Sequence, residues 1–423
     1  MSEAKYLVGD VFDRMAELPD GSVDVVVTSP PFLNLRSYLP SDNPDKGREI
    51  GAEASPAEFI DTLLHLTAEW DRLLAPHGSL CVELGDTRSG SGGAGGDYNQ
   101  GGLRDGQHRF RQVQTREHRP ERNGTKGDGG SRVVPVNGGD GWPMAKSMCG
   151  IPHLYHLSLA YGMNLLTGEP SPAGRWRIRN VLCWARPNPP VGALGDKFRD
   201  ATSYVTVACK SSDRWFDLDA VRTPLKHPDA AVNARPATLN RGAPGQHTDP
   251  SDAADGMTSN PAGAPPLDWF DEQAEDMWQP FIGMPTQPYP GAHHAVYPPK
   301  LPKTLIEAMC PREVCTQCGL PRRRIVDVEG LSGSDFYGVD NDRDIGMQGK
   351  KAPMPDITRT TVGWTDCGCG APFRNGVVLD PFGGSGTTGA VATGLGRDAI
   401  LIDIDAKNME LARDRIGMFL TEE

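Results

Sequence analysis

Three short stretches of this chain carry side chains whose types and spacing suit chemistry. The first is Thr28-Ser29-Pro30-Pro31-Phe32, directly after the apolar run Val25-Val26-Val27. Successive prolines fix φ and remove two amide donors. The Pro30 carbonyl and the Ser29 hydroxyl are then left as acceptors that no strand partner claims, with Phe32 beside them as a flat surface. That set suits gripping an exocyclic amine by its hydrogens while a ring stacks on the base that carries it. The plainer alternative is a proline-terminated strand with a core phenylalanine.

The second stretch, Asp380-Pro381-Phe382-Gly383-Gly384-Ser385-Gly386-Thr387-Thr388, follows Val377-Val378-Leu379. A glycine turn between strand and helix lets the backbone approach a ligand and offers the unpaired amides of the helix start. A phosphate-cradling loop would carry Lys after its last glycine, where Thr387 stands, and the glycine spacing of a dinucleotide fingerprint does not match. The third candidate is S-adenosylmethionine, bound after the first strand of a Rossmann-like sheet. It asks for an acid at the end of the next strand to hold the ribose hydroxyls. Ile400-Leu401-Ile402-Asp403 supplies one, with Asp405 two residues on. A plain crossover turn is the bland reading.

The third is a cysteine set. Cys315-Thr316-Gln317-Cys318 with Gly319, and Cys367-Gly368-Cys369 with Gly370, have the form of two half-sites for one structural zinc. Free thiols are the alternative, and Cys310 is a substitute ligand. Cys81, Cys183 and Cys209 sit in apolar runs and read as core. Arg322-Arg323-Arg324, just past the knuckle, reads either as a phosphate contact or as a solvated cluster.

Positioning these groups takes alternating strands and helices. Tyr6–Val8 and Val23–Val27 read as strands, Phe59–Leu74 as a helix stopped by Pro76-His77-Gly78, and Leu80–Val82 as the next strand. A helix near His153–Leu166 and strands near Val181–Trp184 and Tyr204–Ala208 follow. Residues 373–420 give strand, glycine turn, helix, strand, and a helix through Leu420. Such alternation predicts an α/β fold, a mostly parallel sheet with helices on both faces.

Together Thr28–Phe32 and Asp380–Thr388 resemble the motifs of the amino-group DNA methyltransferases, in the permuted beta-class order that puts the catalytic motif before the cofactor motif. Gly9-Asp10, Arg177–Trp184, Lys210–Phe216 and His294–Leu301 resemble further family segments. The resemblance implies a Rossmann-like class-I methyltransferase sheet, circularly permuted. It assigns Ser29, Pro30, Pro31 and Phe32 to catalysis. Asp10, Thr28, Asp380, Pro381, Phe382, Gly383, Gly384, Ser385, Gly386, Thr387, Thr388 and Asp403 go to S-adenosylmethionine. Beside these stand Cys315, Cys318, Cys367 and Cys369 for zinc. Ser29 before the prolines favours the 4-amino group of cytosine, where Asp or Asn mostly marks adenine enzymes. The substrate implied is double-stranded DNA with the base turned out of the helix, and a cognate restriction enzyme is the companion such an enzyme would have. The nearest alternative is the 6-amino group of adenine. A catalytically silent DNA-binding or zinc-ribbon module is the alternative from another class. One departure stands out: an acid is expected in the strand before Lys210, and Ser203-Tyr204 stand there.

The expected layout is a catalytic half over residues 1–86 and 142–224, separated by a Gly/Arg-rich insertion at 87–141. A target-recognition or linker region at 225–291 and a cofactor-pocket element at 292–309 follow. A cysteine-bearing insertion at 310–372 and the cofactor half at 373–423 complete it. Across the 423 residues, Gly and Pro make about a fifth of the chain, so much of it lies outside a core. No apolar run is long enough to span a membrane. The start of the chain lacks a secretory pattern, so a cytoplasmic protein with reduced thiols is expected. The net charge of −12 speaks only against indiscriminate nucleic-acid binding, because its distribution is uneven. Arg175–Lys226 carries ten Lys/Arg against five acids, a net of +5, whereas Asp249–Asp276 holds eight acids and no base.

Overall fold

The computed structural model of the chain describes residues 2–35, 38–39, 42–89, 141–186, 198, 200–222, 269–270, 297–329 and 358–422. The expected insertions at 87–141 and 225–291, and His293-His294, fall largely or wholly outside them.

Among the described residues, nine strands form one sheet in the order β13-β1-β12-β11-β2-β3-β5-β4-β6. At its centre lie β11 (Val377–Asp380) and β2 (Val23–Thr28), with Val378 beside Val25. On one side follow β12 (Asp398–Asp403), β1 (Ala4–Val8) and β13 (Leu420–Glu422), all parallel. On the other side β3 (Leu74–Leu84) is parallel to β2. Then β5 (Thr202–Cys209) runs antiparallel to β3, and β4 (Arg177–Ala185) antiparallel to β5. Two residues, β6 (Trp269–Phe270), close the edge. The central strands are β-branched and buried on both faces, as parallel strands under two helical layers must be.

Among the described residues, three helices cover each face. α1 (Val11–Ala16), α2 (Pro56–Leu73) and α3 (Ile151–Tyr161) bury Met15, Phe59, Leu63, Trp70, Tyr155 and Leu159 in one core. On the opposite face α4 (Lys300–Met309), α5 (Thr387–Gly394) and α6 (Ala406–Ile416) enclose Leu305, Ile306, Ala392, Ala412 and Ile416 together with Val25, Val27 and Leu401.

Three boundaries differ from the sequence reading. Pro76-His77-Gly78 does not separate helix from strand: β3 starts at Leu74, and the four residues 75–78 bulge between the Val23–Leu74 and Val25–Ser79 pairs. α3 ends at Tyr161 rather than near Leu166, because Gly162 takes φ +73 and caps it. The last helix stops at Ile416, before Gly417 (φ +64), and Leu420–Glu422 pairs with β1 as an edge strand.

The cysteine region is less irregular than its sequence suggests. β7 (Glu313–Cys315) pairs antiparallel with β10 (Phe373–Asn375), and β8 (Arg324–Glu329) with β9 (Thr358–Trp364). β10 runs almost directly into β11, so this module sits at the amino ends of the parallel strands. Both chemical motifs lie at the carboxyl ends, about 16 Å further along β2.

Candidate active site and cysteine cluster

At the carboxyl ends of β11, β12, β1 and β2, where the chain departs to opposite faces of the sheet, a cavity of about 150 Å³ opens. Open α/β sheets bind ligands at such switch points. Asp380 ends β11 and is buried. Its Oδ1 accepts hydrogen bonds from Thr28 Oγ1 (2.7 Å) and the Phe382 amide (3.2 Å), and its Oδ2 from Thr388 Oγ1 (2.5 Å) and Tyr297 Oη (3.0 Å). Burial raises the carboxyl's pKa, and the hydroxyls of Thr388 and Thr28 work against that shift.

The glycine turn is held from both sides. The Gly383 amide donates to the Ile402 carbonyl (2.8 Å), the Gly384 amide to Asp403 Oδ2 (2.9 Å), and Tyr6 Oη to the Gly384 carbonyl (2.7 Å). A Cβ on Gly386, whose φ is +78, would come within 2.8 Å of Ala412 Cβ, so this glycine lets α6 pack on the turn. Asp403 ends β12, and its Oδ1 accepts from the Asp405 amide (2.8 Å) and Asn408 Nδ2 (3.0 Å). Burial pushes its carboxyl up to about 6. Across the cavity Asp10 caps α1, accepting from the Phe12 and Asp13 amides, and Arg48 reaches it at 3.1 Å.

β2 delivers the other motif. Ser29 Oγ donates to Glu83 Oε2 at 2.5 Å, which turns the serine lone pairs away from that carboxylate. Phe32 lies over Gly85, where an added Cβ would meet the ring at 2.4 Å. Ser29, Pro30, Pro31, Phe32, Asp10, Asp380, Pro381, Phe382, Gly383, Gly384, Ser385, Thr387 and Asp403 all line the cavity. Thr28, Thr388 and Gly386 do not line it; the two threonines bond Asp380 from behind and the glycine makes room for α6. Sequence reasoning missed Glu83, Tyr38, Arg48 and Asn408. The one available signal was Glu83 itself, an acid inside the apolar run Leu80–Leu84. On β5, where an acid was expected, Ser203 stands instead and faces Glu83 of β3.

The four cysteine sulfurs of Cys315, Cys318, Cys367 and Cys369 lie within 4.8 Å of one another. Tetrahedral zinc with bonds of about 2.3 Å needs sulfurs roughly 3.8 Å apart, so the set fits one such ion. Amides of Cys318 and Gln317 donate toward the Cys315 thiol and hold it down to about 7. Cys310 is apart from this set, buried among α4 residues. The neighbouring arginines are engaged internally. Arg322 pairs with Glu313 (2.7 Å) and covers the Phe373 ring, Arg323 lies 3.4 Å from Asp213, and Arg324 lies 2.7 Å from Asp217. Arg374 reaches Asp24, at the start of β2, at 2.6 Å, and His77 Nε2 joins the same carboxylate at 2.9 Å.

Strand order and site together define the class-I methyltransferase fold, cut so that the cofactor-motif half comes last. Residues 23–314 and 371–414 match the family model described as DNA methylase, which covers N6 and N4 methyltransferases, and the chain belongs to that family. The unmatched stretch 315–370 contains all four clustered cysteines. Among relatives, the chain is 21% identical to Type II methyltransferase M.SmaI of Serratia marcescens over 98% of this chain and 91% of that one. It is 25% identical to M.SfiI of Streptomyces fimbriatus over 54% and 41%, and 27% to M.Cfr9I of Citrobacter freundii over 52% and 59%. The chain thus spans about half the length of the latter two and nearly all of the first. Among solved structures, the cytosine-N4-specific PvuII DNA methyltransferase aligns over 98% of this chain and 86% of its own, with TM-score 0.45 and 14% identity. No helix among the described residues is long and apolar enough to cross a membrane.

Proposed function

We propose that this chain methylates DNA at the exocyclic 4-amino group of cytosine within a specific sequence, with S-adenosylmethionine as donor. The observation that carries the reading is the meeting of the Ser29–Phe32 turn with the Asp380–Thr387 turn and Asp403 around one cavity. Bound there, S-adenosylmethionine supplies a sulfonium methyl already activated for transfer. Asp403 has the burial and position to take the ribose hydroxyls, and Asp10 lies at the adenine side. The Pro30 carbonyl and the Ser29 lone pairs accept the hydrogens of the target amine, drawing electron density onto its nitrogen. Phe32 stacks the extruded ring, since an amine paired inside a duplex cannot line up for attack. Positioning and preorganised dipoles then supply most of the acceleration. Type II relatives and the family support DNA as substrate, with a cognate restriction enzyme as companion; Ser29 supports cytosine.

Cys315, Cys318, Cys367 and Cys369 hold one structural Zn²⁺ in this reading, tying down a module with little core of its own. Metal analysis of protein purified without chelator checks it: about one zinc per chain is expected, and none would remove the zinc. For the reaction, unmethylated DNA is incubated with the protein and S-adenosylmethionine and its nucleosides are identified by mass spectrometry. N4-methylcytosine is expected. N6-methyladenine alone would move the reading to adenine, and no methylated nucleoside would sink it.

A further inference from the structure

Asp403 is nearly saturated by the chain itself. A carboxylate has about four acceptor positions, two on each oxygen. Both on Oδ1 are taken, by the Asp405 amide (2.8 Å) and by Asn408 Nδ2 (3.0 Å). On Oδ2 the Gly384 amide takes one (2.9 Å). One position is left, whereas the ribose of S-adenosylmethionine brings two hydroxyls. Asp405 is no substitute, because it does not line the cavity and its Oδ1 caps α6 by accepting from the Lys407 amide at 3.0 Å.

Asn408 stands on the first turn of α6 and lines the same cavity as Asp403. Chemistry fixes the orientation of its side-chain amide. An ionised carboxylate only accepts, so the nitrogen faces Asp403 and the carbonyl oxygen turns away from it. Among the described residues, that oxygen accepts no hydrogen bond. The two ribose hydroxyls lie on adjacent carbons and on one side of the ring, so their acceptors must be neighbours. Asp403 and Asn408, joined at 3.0 Å, are neighbours. We propose that Asn408 is a second cofactor-binding residue: Asp403 accepts one ribose hydroxyl at its remaining Oδ2 position, and the Asn408 carbonyl accepts the other. The inference rests on the reading that S-adenosylmethionine occupies this cavity. It divides between two side chains a task that a single acid with both oxygens open would perform alone.

The test uses the full chain and three ligands: S-adenosylhomocysteine and its 2′-deoxy and 3′-deoxy forms. Affinities come from calorimetry at about pH 8, which keeps Asp403 largely ionised although burial has pushed its carboxyl up to about 6. In wild type each deoxy form should bind about three- to tenfold more weakly than the parent, one hydrogen bond being lost in each. Asn408→Leu, a change of similar size and shape, should weaken the parent by a comparable factor. In that variant one deoxy form should then bind as well as the parent, while the other still shows its full loss. Asn408→Ala should repeat the pattern, and it replaces Asn408→Leu if the latter does not fold. Both losses persisting in full in the Asn408 variants would overturn the inference. So would the disappearance of both, which marks a displaced Asp403 rather than a missing acceptor. Wild type that binds both deoxy forms as tightly as the parent, or does not bind the parent, refutes the placement of the cofactor itself, before any variant is compared.

Discussion

The two ends of the central sheet handle charge in opposite ways. At the amino ends, Asp24 is fully buried and saturated: Arg374 donates to both its oxygens, His77 Nε2 sits 2.9 Å away, and the Val377 amide adds a bond of 2.7 Å. The arginines beside it are likewise matched to Glu313, Asp213 and Asp217. At the carboxyl ends, Asp380 and Asp403 are held by hydroxyls and amides rather than by cations, and both line the cavity. One end is built to hold the chain together, the other to meet something that is not part of it. Buried carboxylates therefore do different work at the two ends of one sheet.

The largest way to break this contrast is to remove Asp24. Arg374 and His77 would lose their acceptor, and stripping one partner from a buried pair typically costs about 3–5 kcal/mol. Asp24→Ala should thus lower the melting temperature by many degrees, while the folded fraction at low temperature still binds cofactor. Burial raises the Asp24 pKa, but the bonds from His77 and Arg374 outweigh it and hold the group below its ordinary value. A carboxylate depressed in the folded state contributes stability above its unfolded pKa and loses it as pH falls through the folded one. Wild type should therefore lose stability more steeply than Asp24→Ala in acid; parallel curves from thermal melts would show that the network is idle.

At the other end the expected loss is in rate and not in stability. Ser29→Ala should cut methylation about 10²- to 10³-fold, and Phe32→Ala should forfeit stacking worth about 1–3 kcal/mol. Both should leave S-adenosylmethionine affinity nearly unchanged, by calorimetry. Wild-type turnover in Phe32→Ala would remove the stacking role. A smaller effect comes from Asp403, whose carboxyl is pushed up to about 6. The ribose hydroxyls need it ionised, so cofactor affinity should be flat above neutral pH and fall by up to about tenfold per unit as pH drops through 6. Asp403→Asn should bind weakly with no such slope. A wild-type affinity independent of pH between 5 and 8 would assign the ribose to another group.

Much of the carboxyl end was legible in the sequence, because its groups are local. Ser29–Phe32 and Asp380–Thr387 are contiguous, so strand, turn and helix signals place them without knowledge of the rest. Glu83 was not legible as a site residue: it lies 54 positions from Ser29, and only the register of β2 with β3 joins them. Asp24 lies 53 positions from His77 and 350 from Arg374, and each alone reads as an ordinary polar residue. The end of the chain was misjudged for a related reason. Leu420 continues the apolar spacing of α6, but Gly417 breaks the helix and the open edge of β1 claims the last residues as β13. Sequence pattern speaks for local periodicity; an unpaired strand edge is a tertiary fact.

The smallest expected effect sharpens the contrast most, because it concerns charges that could belong to either end. Arg322-Arg323-Arg324 follows the cysteine knuckle, and a run of three arginines invites a phosphate contact. The structure instead spends Arg322 and Arg324 on nearby acids and rings, and leaves Arg323 in a half-exposed pair 3.4 Å from Asp213. Exposed pairs of this kind contribute about 0–1 kcal/mol. Arg323→Gln should accordingly change stability little and DNA affinity less than about twofold, with the salt dependence of binding unaltered. Each lost phosphate contact would instead reduce the slope of log affinity against log salt by about one. A slope reduced by one in Arg323→Gln would bring the cysteine module onto the DNA, and the division between a holding end and a meeting end would fail at that residue. A full slope in that variant would leave the cysteine module off the DNA and keep the division intact.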